Sequence, residues 1–292
     1  MKTLRHLRAC GGFEPARSRL RTGATSLVLV LALVAASAAP GTDSIGTVEP
    51  DTSELTSAVV LSSGGEVLPA SERPFRPGEY LKFSVQYGFI KAGYAYLEVP
   101  EVKDWKGHSV FTLVARAESN KFFSSVYKVR NRIESYWDTA GHYSVRYAEN
   151  RREGKYRTQS EILFDYDKQQ AQYADGQAFP IPPEVQDALS SFYFTRFQAL
   201  PLGGSVIFDY HASRKSQPLE VKVLGRERVE TPAGTFDCVV IEPLLKAGGI
   251  FKNKGRLVIW LTDDERRMPV MMKSKVMIGS ISVLLMDAKP GV

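Results

Sequence analysis

Residues 80–87 read YLKFSVQY, with Leu81, Phe83, Val85 and Tyr87 on one parity and Tyr80, Lys82, Ser84 and Gln86 on the other. Side chains alternate between the two faces of a strand, so this stretch describes a ribbon with one greasy face and one wet face. The same period returns further along. Tyr127, Val129, Ile133 and Trp137 alternate with Lys128, Arg130, Arg132 and Glu134, and Tyr156, Ile162, Phe164 and Tyr166 share a parity. Later runs repeat it: PLEVKVLGRERVE, TFDCVVIE, GRLVIWLT, MPVMMKSKVMI and GSISVLLMD. Together they predict roughly ten to thirteen strands at hairpin spacing. Gly88 and Gly93 bracket a bend after Tyr87, Pro232 and Gly234 punctuate ETPAGTF, and Asp138 to Gly141 joins two aromatic runs. The expected fold class is therefore all-β: a curved antiparallel sheet or incomplete β-barrel.

One segment breaks the rhythm. PPEVQDALSSFYFTRFQAL, from Pro182, opens on prolines suited to a first helical turn and sets Val185, Leu189, Phe192, Arg196 and Leu200 near one stripe. It predicts a single packed helix from about Glu184 to Ala199, stopped by Pro201, Gly203 and Gly204. Two roles are open to it, a plug for one end of the sheet or a lid over a cavity. In the second, Phe192 and Phe197 dip inward and Arg196 meets an anionic headgroup.

The ends of the chain set its expected address. Lys2, Arg5, Arg8, Arg17, Arg19 and Arg21 precede the apolar run SLVLVLALVAA, and an Ala-x-Ala site follows at Ala36 to Ala38. This is the layout of a secretory signal peptide over residues 1–38, cleaved near Ala38. The apolar run from Leu27 to Ala36 is well short of the ~20 residues that cross a bilayer, so no transmembrane span is expected in the mature chain. The formal net charge is +6, but the leader holds six basic residues and only Glu14, leaving 32 basic against 31 acidic. A chain so balanced has no global field to draw nucleic acid. Residues 39–74 contain no aromatic residue and read as a flexible tether, although TSAVVLSSGG has the composition of one short strand or binding peptide. Residues 75–292 then form one antiparallel β domain.

Searches for chemistry find little. His108, His142 and His211 stand apart, with neither paired spacing nor cysteine neighbours, so no metal site is expected. There is no Gly-x-Ser-x-Gly elbow, phosphate loop or dinucleotide fingerprint, and no cofactor or catalytic residue is assigned. WLTDDERRMPV, residues 260–270, gathers Asp263, Asp264 and Glu265 beside two arginines between two strand runs. That placement predicts a hairpin tip whose solvated carboxylates titrate near ordinary values. The basic run ENRREGKYR reads as a second tip, with an anionic partner as its functional alternative. Cys238, within FDCVVIEP, reads as a buried apolar residue. Lysine, arginine and glutamate on the outer parity argue against a lipid-facing band, hence against a transmembrane barrel.

Three blocks carry a family resemblance: RPGEYLKFSVQYGFIKAGYAYLEV (76–99), ETPAGTFDCVVIEP (230–243) and GIFKNKGRLVIWLTDDERRMPVMMKSKVMIGSISVLL (249–285). They resemble the bacterial family catalogued as domain of unknown function 3108, over most of residues 73–287. The resemblance implies an exported protein of the Gram-negative envelope, in the periplasm, and carries no catalytic residues with it. By shape alone, a curved sheet closed by a helix also resembles the periplasmic lipoprotein carriers and the lipocalins. The leading expectation is non-enzymatic binding of a lipid or other apolar small molecule, with Tyr87, Phe192 and Trp260 as walls and Arg196 for a headgroup. The alternatives are a scaffold that binds another envelope protein and a hydrolase of envelope polymers.

Overall fold

The computed structural model describes residues 59–60, 73–245, 256–275 and 279–292. The expected leader lies outside these residues, as does the tether apart from 59–60 and 73–74. Among the described residues sixteen strands join one sheet. In chain order they are β1 (Val59–Val60), β2 (Glu79–Tyr87), β3 (Ile90–Val99), β4 (Val102–Trp105), β5 (His108–Ser119), β6 (Val129–Asp138), β7 (Ser144–Glu153) and β8 (Tyr156–Asp165). There follow β9 (Gln170–Tyr173), β10 (Ala178–Pro180), β11 (Ser205–Ala212), β12 (Lys215–Thr231), β13 (Gly234–Leu245), β14 (Leu257–Thr262), β15 (Pro269–Lys275) and β16 (Ser280–Lys289). Helix α1 (Lys121–Val126) links β5 to β6, and α2 (Ser190–Phe197) precedes β11.

The strand order is β1-β11-β12-β13-β14-β15-β16-β2-β3-β5-β6-β7-β8-β9-β10, a meander whose seam pairs β16 with β2. Period-two alternation sets the register. Leu81, Phe83 and Val85 are buried, as are Val129, Ile133 and Trp137 on β6 and Ile162 and Phe164 on β8. Each such side chain contributes on the order of 1.5–3 kcal/mol when fully withdrawn from water, which fixes the face that each strand turns inward. Gly93 marks a close approach between strands: a Cβ there would stand 2.1 Å from the Glu118 carbonyl oxygen.

The sheet curls without closing into a barrel. β10, at one end of the sheet, does not pair with β11, which is flanked at the other end by the two-residue β1; side chains and a strap span the gap. Tyr173 of β9 meets His211 of β11 at 3.0 Å, Arg214 donates to Gln177 and pairs with Asp175, and Ser216 reaches the Pro180 carbonyl. The strap is Val185 to Asp187, where Gln186 forms a parallel bridge with Tyr210. Gln186 also accepts from Trp137 Nε1 at 3.0 Å and donates to the His142 carbonyl at 2.6 Å, tying β6 and the following turn to β11.

That strap shortens the expected helix. The segment from Glu184 to Leu189 is not helical: Glu184 sits at φ +59°, and Gln186 gives its backbone N–H to Asp209 rather than to a helical carbonyl. The expected stripe still faces inward, with Val185, Leu189, Arg196 and Leu200 buried. The second helix, α1, departs from the expectation of one helix. It is a six-residue turn with no buried residue, capped by Asn120, whose Oδ1 accepts from Phe123 N at 2.8 Å. Apolar periodicity could not reveal it.

Candidate functional site

Helix α2 is positioned by a buried polar knot. Asp187 Oδ1 accepts the backbone N–H groups of Leu189 and Ser190 at 2.7 and 2.8 Å, and Ser190 Oγ accepts Asp187 N–H at 2.8 Å, a reciprocal cap for the helix start. Ser135 Oγ donates to Asp187 Oδ2 at 2.6 Å, so the cap is anchored on β6. Burial raises the Asp187 carboxyl above the usual carboxylate range even though Ser135, Ser190 and Leu189 donate to it. Its hydrogen bonds go to the helix start and the sheet; the nearest serines bond one another or the backbone.

The other end of α2 is held by an ion pair. Arg196, 1% exposed, donates to Glu79 Oε1 at 2.7 Å and Oε2 at 2.8 Å, to the Pro74 carbonyl at 3.0 Å and to the Arg266 carbonyl at 3.1 Å. Burial opposes its charge, yet the Glu79 carboxylate more than compensates and raises its pKa above the ordinary guanidinium value. The guanidinium also lies over the Phe75 ring, 4.9 Å from its centroid. Phe75 in turn packs against Phe111, Tyr193 and Phe197, so this end of the sheet is a solid aromatic plug.

Between the two anchors, α2 and the sheet leave a cavity of about 30 Å³ lined by Ala188, Ser191, Phe192 and Thr195 from the helix side, and by Leu97, Leu219, Val221, Pro243, Leu257 and Ile259 from the sheet. Ser191 Oγ donates to the Ala188 carbonyl and Thr195 Oγ1 to the Ser191 carbonyl, so neither hydroxyl proton is offered to the cavity. The space is apolar in effect. By the same measure a water needs roughly 10–15 Å³, so the cavity has room for the tip of a chain and not for a whole lipid.

The four residues expected to line a binding site are not brought together. Phe192 is half-buried and forms one cavity wall. Tyr87 faces the same side of the sheet in the register row Tyr87, Ile281, Ser274, Leu257, three strands from the wall residue Leu257. In that row the buried Ser274 Oγ has no hydrogen-bond partner among the described residues. Trp260 lies on the opposite strand face from Ile259, where its Nε1 donates to Glu227 at 2.8 Å and Lys273 covers its ring. Arg196, expected to meet a headgroup, is committed to Glu79 and two backbone carbonyls. Sequence reasoning missed Ala188, Leu219 and Leu257, which look like any core residue. The pairing of Asp187 with Ser190 is the one local signal that would have marked where the helix starts.

WLTDDERRMPV is a turn that does structural work. It joins β14 to β15, with Leu261 opposite Pro269 across a bulge. Asp264 closes it: Oδ1 accepts from Arg266 N and Arg267 N at 3.1 Å each. Burial would raise the Asp264 carboxyl, but donation by Thr262 and the charge on Arg266 outweigh it and hold it below the usual range, not near ordinary as expected. Such a carboxylate stays ionised and is unsuited to act as a general acid. Asp263 pairs with Arg226, and Arg267 reaches back to the Arg196 and Gln198 carbonyls, so the tip docks on α2.

Three further titratable groups are shifted by burial. His211, 1% exposed, sits between Tyr173 Oη and Ser216 Oγ at 3.0 and 2.8 Å, and burial pushes its pKa down to about 4. His142 stacks on Trp137 with ring centroids 4.9 Å apart; burial, then the nearby Arg73 charge, lower it as well. Cys238 is buried in β13, and burial raises its thiol to about 11. Among the described residues no group of three or more His, Cys, Asp or Glu gathers to hold a metal. No helix among them is long and apolar enough to cross a membrane.

These features define an open, β-barrel-like antiparallel domain with one end plugged by a clamped helix. The chain belongs to the family described as protein of unknown function (DUF3108), whose model matches residues 82–286. Among solved structures it is similar to a β-barrel-like protein of domain of unknown function DUF1849 from Brucella abortus, with TM-score 0.51 and 10% identity over 74% of this chain and 98% of that one. It also matches a protein assigned as exported, with a YmcC-like fold, from Bacteroides fragilis, with TM-score 0.29 and 14% identity over 74% of this chain and 97% of the other. No curated protein matches the chain.

Proposed function

We propose that the protein is a non-enzymatic component of the periplasm that binds a lipid or other apolar molecule at the seam between α2 and the sheet. The observation that carries this reading is the apolar cavity beside the half-buried Phe192, whose helix wall offers no free hydroxyl proton. Its volume admits a chain terminus, and a longer segment enters by displacing the Phe192 ring, the wall residue not fully enclosed by its neighbours. The row from Leu257 to Tyr87 extends the same face, with the unpartnered Ser274 hydroxyl available to a polar group on the ligand. The periplasmic address rests on the basic leader, its apolar run and the Ala-x-Ala site.

Native mass spectrometry of the gently purified protein tests this. An amphiphile is expected to accompany the wild type and to be lost from Ala188→Leu, which fills the cavity, while the circular dichroism spectrum stays the same. Absence of any amphiphile, together with no displacement of a fluorescent fatty acid, rejects the proposal. One observation favours a second reading, an envelope scaffold. Val59–Val60 already adds in parallel to the edge strand β11 opposite Val206 and Ile207, the mode by which an extended segment of a partner adds to a sheet. Deleting residues 39–72 frees that edge and is expected to alter partner capture on this reading.

A further inference from the structure

In a meander, alternate connections fall at the same end of the sheet. The β2–β3 turn, the β5–α1–β6 connection and the β7–β8 tip therefore share one rim: Gly93 at the start of β3 pairs with Ser119 at the end of β5, and Val129 at the start of β6 pairs with Glu153 at the end of β7. This rim lies opposite the end plugged by α2, where Glu79 begins β2 and the Asp264 turn ends β14. Large apolar side chains that are more than half exposed concentrate here: Phe89, Ile90, Phe122, Val126 and Tyr156. Elsewhere Val102, Leu202, Leu224 and Val292 are scattered singly, as on any surface. Isolated exposed residues need no explanation; five on one rim do.

The charge of the rim is one-sided. Lys121, Lys128, Arg130, Arg152, Lys155 and Arg157 are exposed there. The acidic residues nearest them are engaged, Glu118 by Tyr96 Oη and Glu153 by Asn131 and Arg151. On the outer face Arg130 stands directly between Glu118 and Arg152, and Arg152 directly opposite Arg157, so the row across four adjacent strands holds one acidic and three basic side chains. None of the three meets a carboxylate among the described residues; Arg157 bonds only the Gly154 and Tyr156 carbonyls. Like charges placed directly across strands destabilise a sheet. An open hollow of about 240 Å³ lies over this ladder, lined by Arg116, Glu118, Arg130, Arg132, Asn150 and Arg152, four cations to one carboxylate.

We infer that this rim seats on an anionic phospholipid surface. Phe89 and Ile90 of the first turn, Phe122 and Val126 of α1 and Tyr156 of the third tip enter the boundary between headgroups and acyl chains. The Arg130, Arg152 and Arg157 ladder holds lipid phosphates beside them, which relieves its self-repulsion. The combination of protruding apolar groups with adjacent unpaired cations is what an interfacial membrane contact requires, since either contribution alone is weak and reversible. The inference is independent of the cavity, because none of these residues lines it.

Co-flotation with vesicles tests the rim, using the exported protein as purified from cells. Binding is expected to mixed phosphatidylethanolamine–phosphatidylglycerol vesicles and to weaken with added salt, with little binding to phosphatidylcholine. The variant Arg130→Gln/Arg152→Gln/Arg157→Gln should lose affinity on the order of 100-fold and most of the salt dependence. Phe89→Ser with Phe122→Ser should lose at least about tenfold, and neither variant should lower the melting temperature, because every altered side chain is exposed. Equal flotation of wild type and both variants overturns the proposal, as does an absence of flotation. Soluble glycerophosphoglycerol bound as tightly as vesicles would assign the ladder to a free anion and also overturn it.

Discussion

Arg196→Ala should unfold this protein more readily than any surface change. The side chain of Arg196 is 0% exposed and that of Glu79 is 7%, and they are joined by two short charge-assisted bonds. Removing the guanidinium leaves a buried carboxylate without its counter-charge and two carbonyls, of Pro74 and Arg266, without their donor. Breaking a buried pair from one side costs about 3–5 kcal/mol. For a domain of this size each kcal/mol moves the melting temperature by about 2–4 °C, so a fall of roughly 6–20 °C is expected. Replacing both partners of a buried pair by well-packed apolar groups is often neutral, so Arg196→Met with Glu79→Leu should recover most of the loss. Urea and thermal unfolding followed by tryptophan fluorescence would measure both. A single-variant loss below about 1 kcal/mol in a cooperative transition would refute the idea that this pair clamps α2.

Other perturbations act at a distance from that clamp. His211 is held near pKa 4 when folded and returns to about 6.5 when unfolded, so between those values the unfolded chain takes up a proton that the folded one refuses. Stability should therefore fall as pH drops from about 6.5 to 4, by on the order of 3 kcal/mol from this group, with His142 adding in the same direction. His211→Gln should flatten the urea midpoint across that range; an unchanged slope would show that His211 is not the titrating group. Gly93→Ala places a methyl against the Glu118 carbonyl and should cost several kcal/mol, on the order of an overpacked core. Wild-type stability of that variant would mean that β3 and β5 are not as closely apposed as described.

How much of this was legible beforehand depended on which residues carried the signal. The run from Tyr80 to Tyr87 fixed a strand because burial of Leu81, Phe83 and Val85 is a property of the pair-period alone. Which face Trp260 takes was hidden for a related reason. Parity shows that two faces exist, yet the long β12–β13 hairpin supplies a partner, Glu227, on the face away from the cavity, and an aromatic residue can be buried there too. Arg196 on an apolar stripe was recognisable as costly, whereas its partner stands at the start of β2 and is invisible to local spacing. The strap at Gln186 was hidden because its bonds run to Trp137, His142 and Asp209, groups separated from it in sequence.

The seam between β2 and β16 has a consequence for biogenesis. On the side of β2 away from β3, Tyr87 pairs with Ile281 and Leu81 with Ala288, so a nascent chain has two half-sheets with raw inner edges until β16 is made. Such a topology delays closure of the sheet until β16 is available to both halves. It also brings the two ends of the domain together, with Val292 N–H on the Pro77 carbonyl. A circularly permuted gene joined at that point and reopened between β13 and β14 would encode the same sheet with its slowest pairing made local.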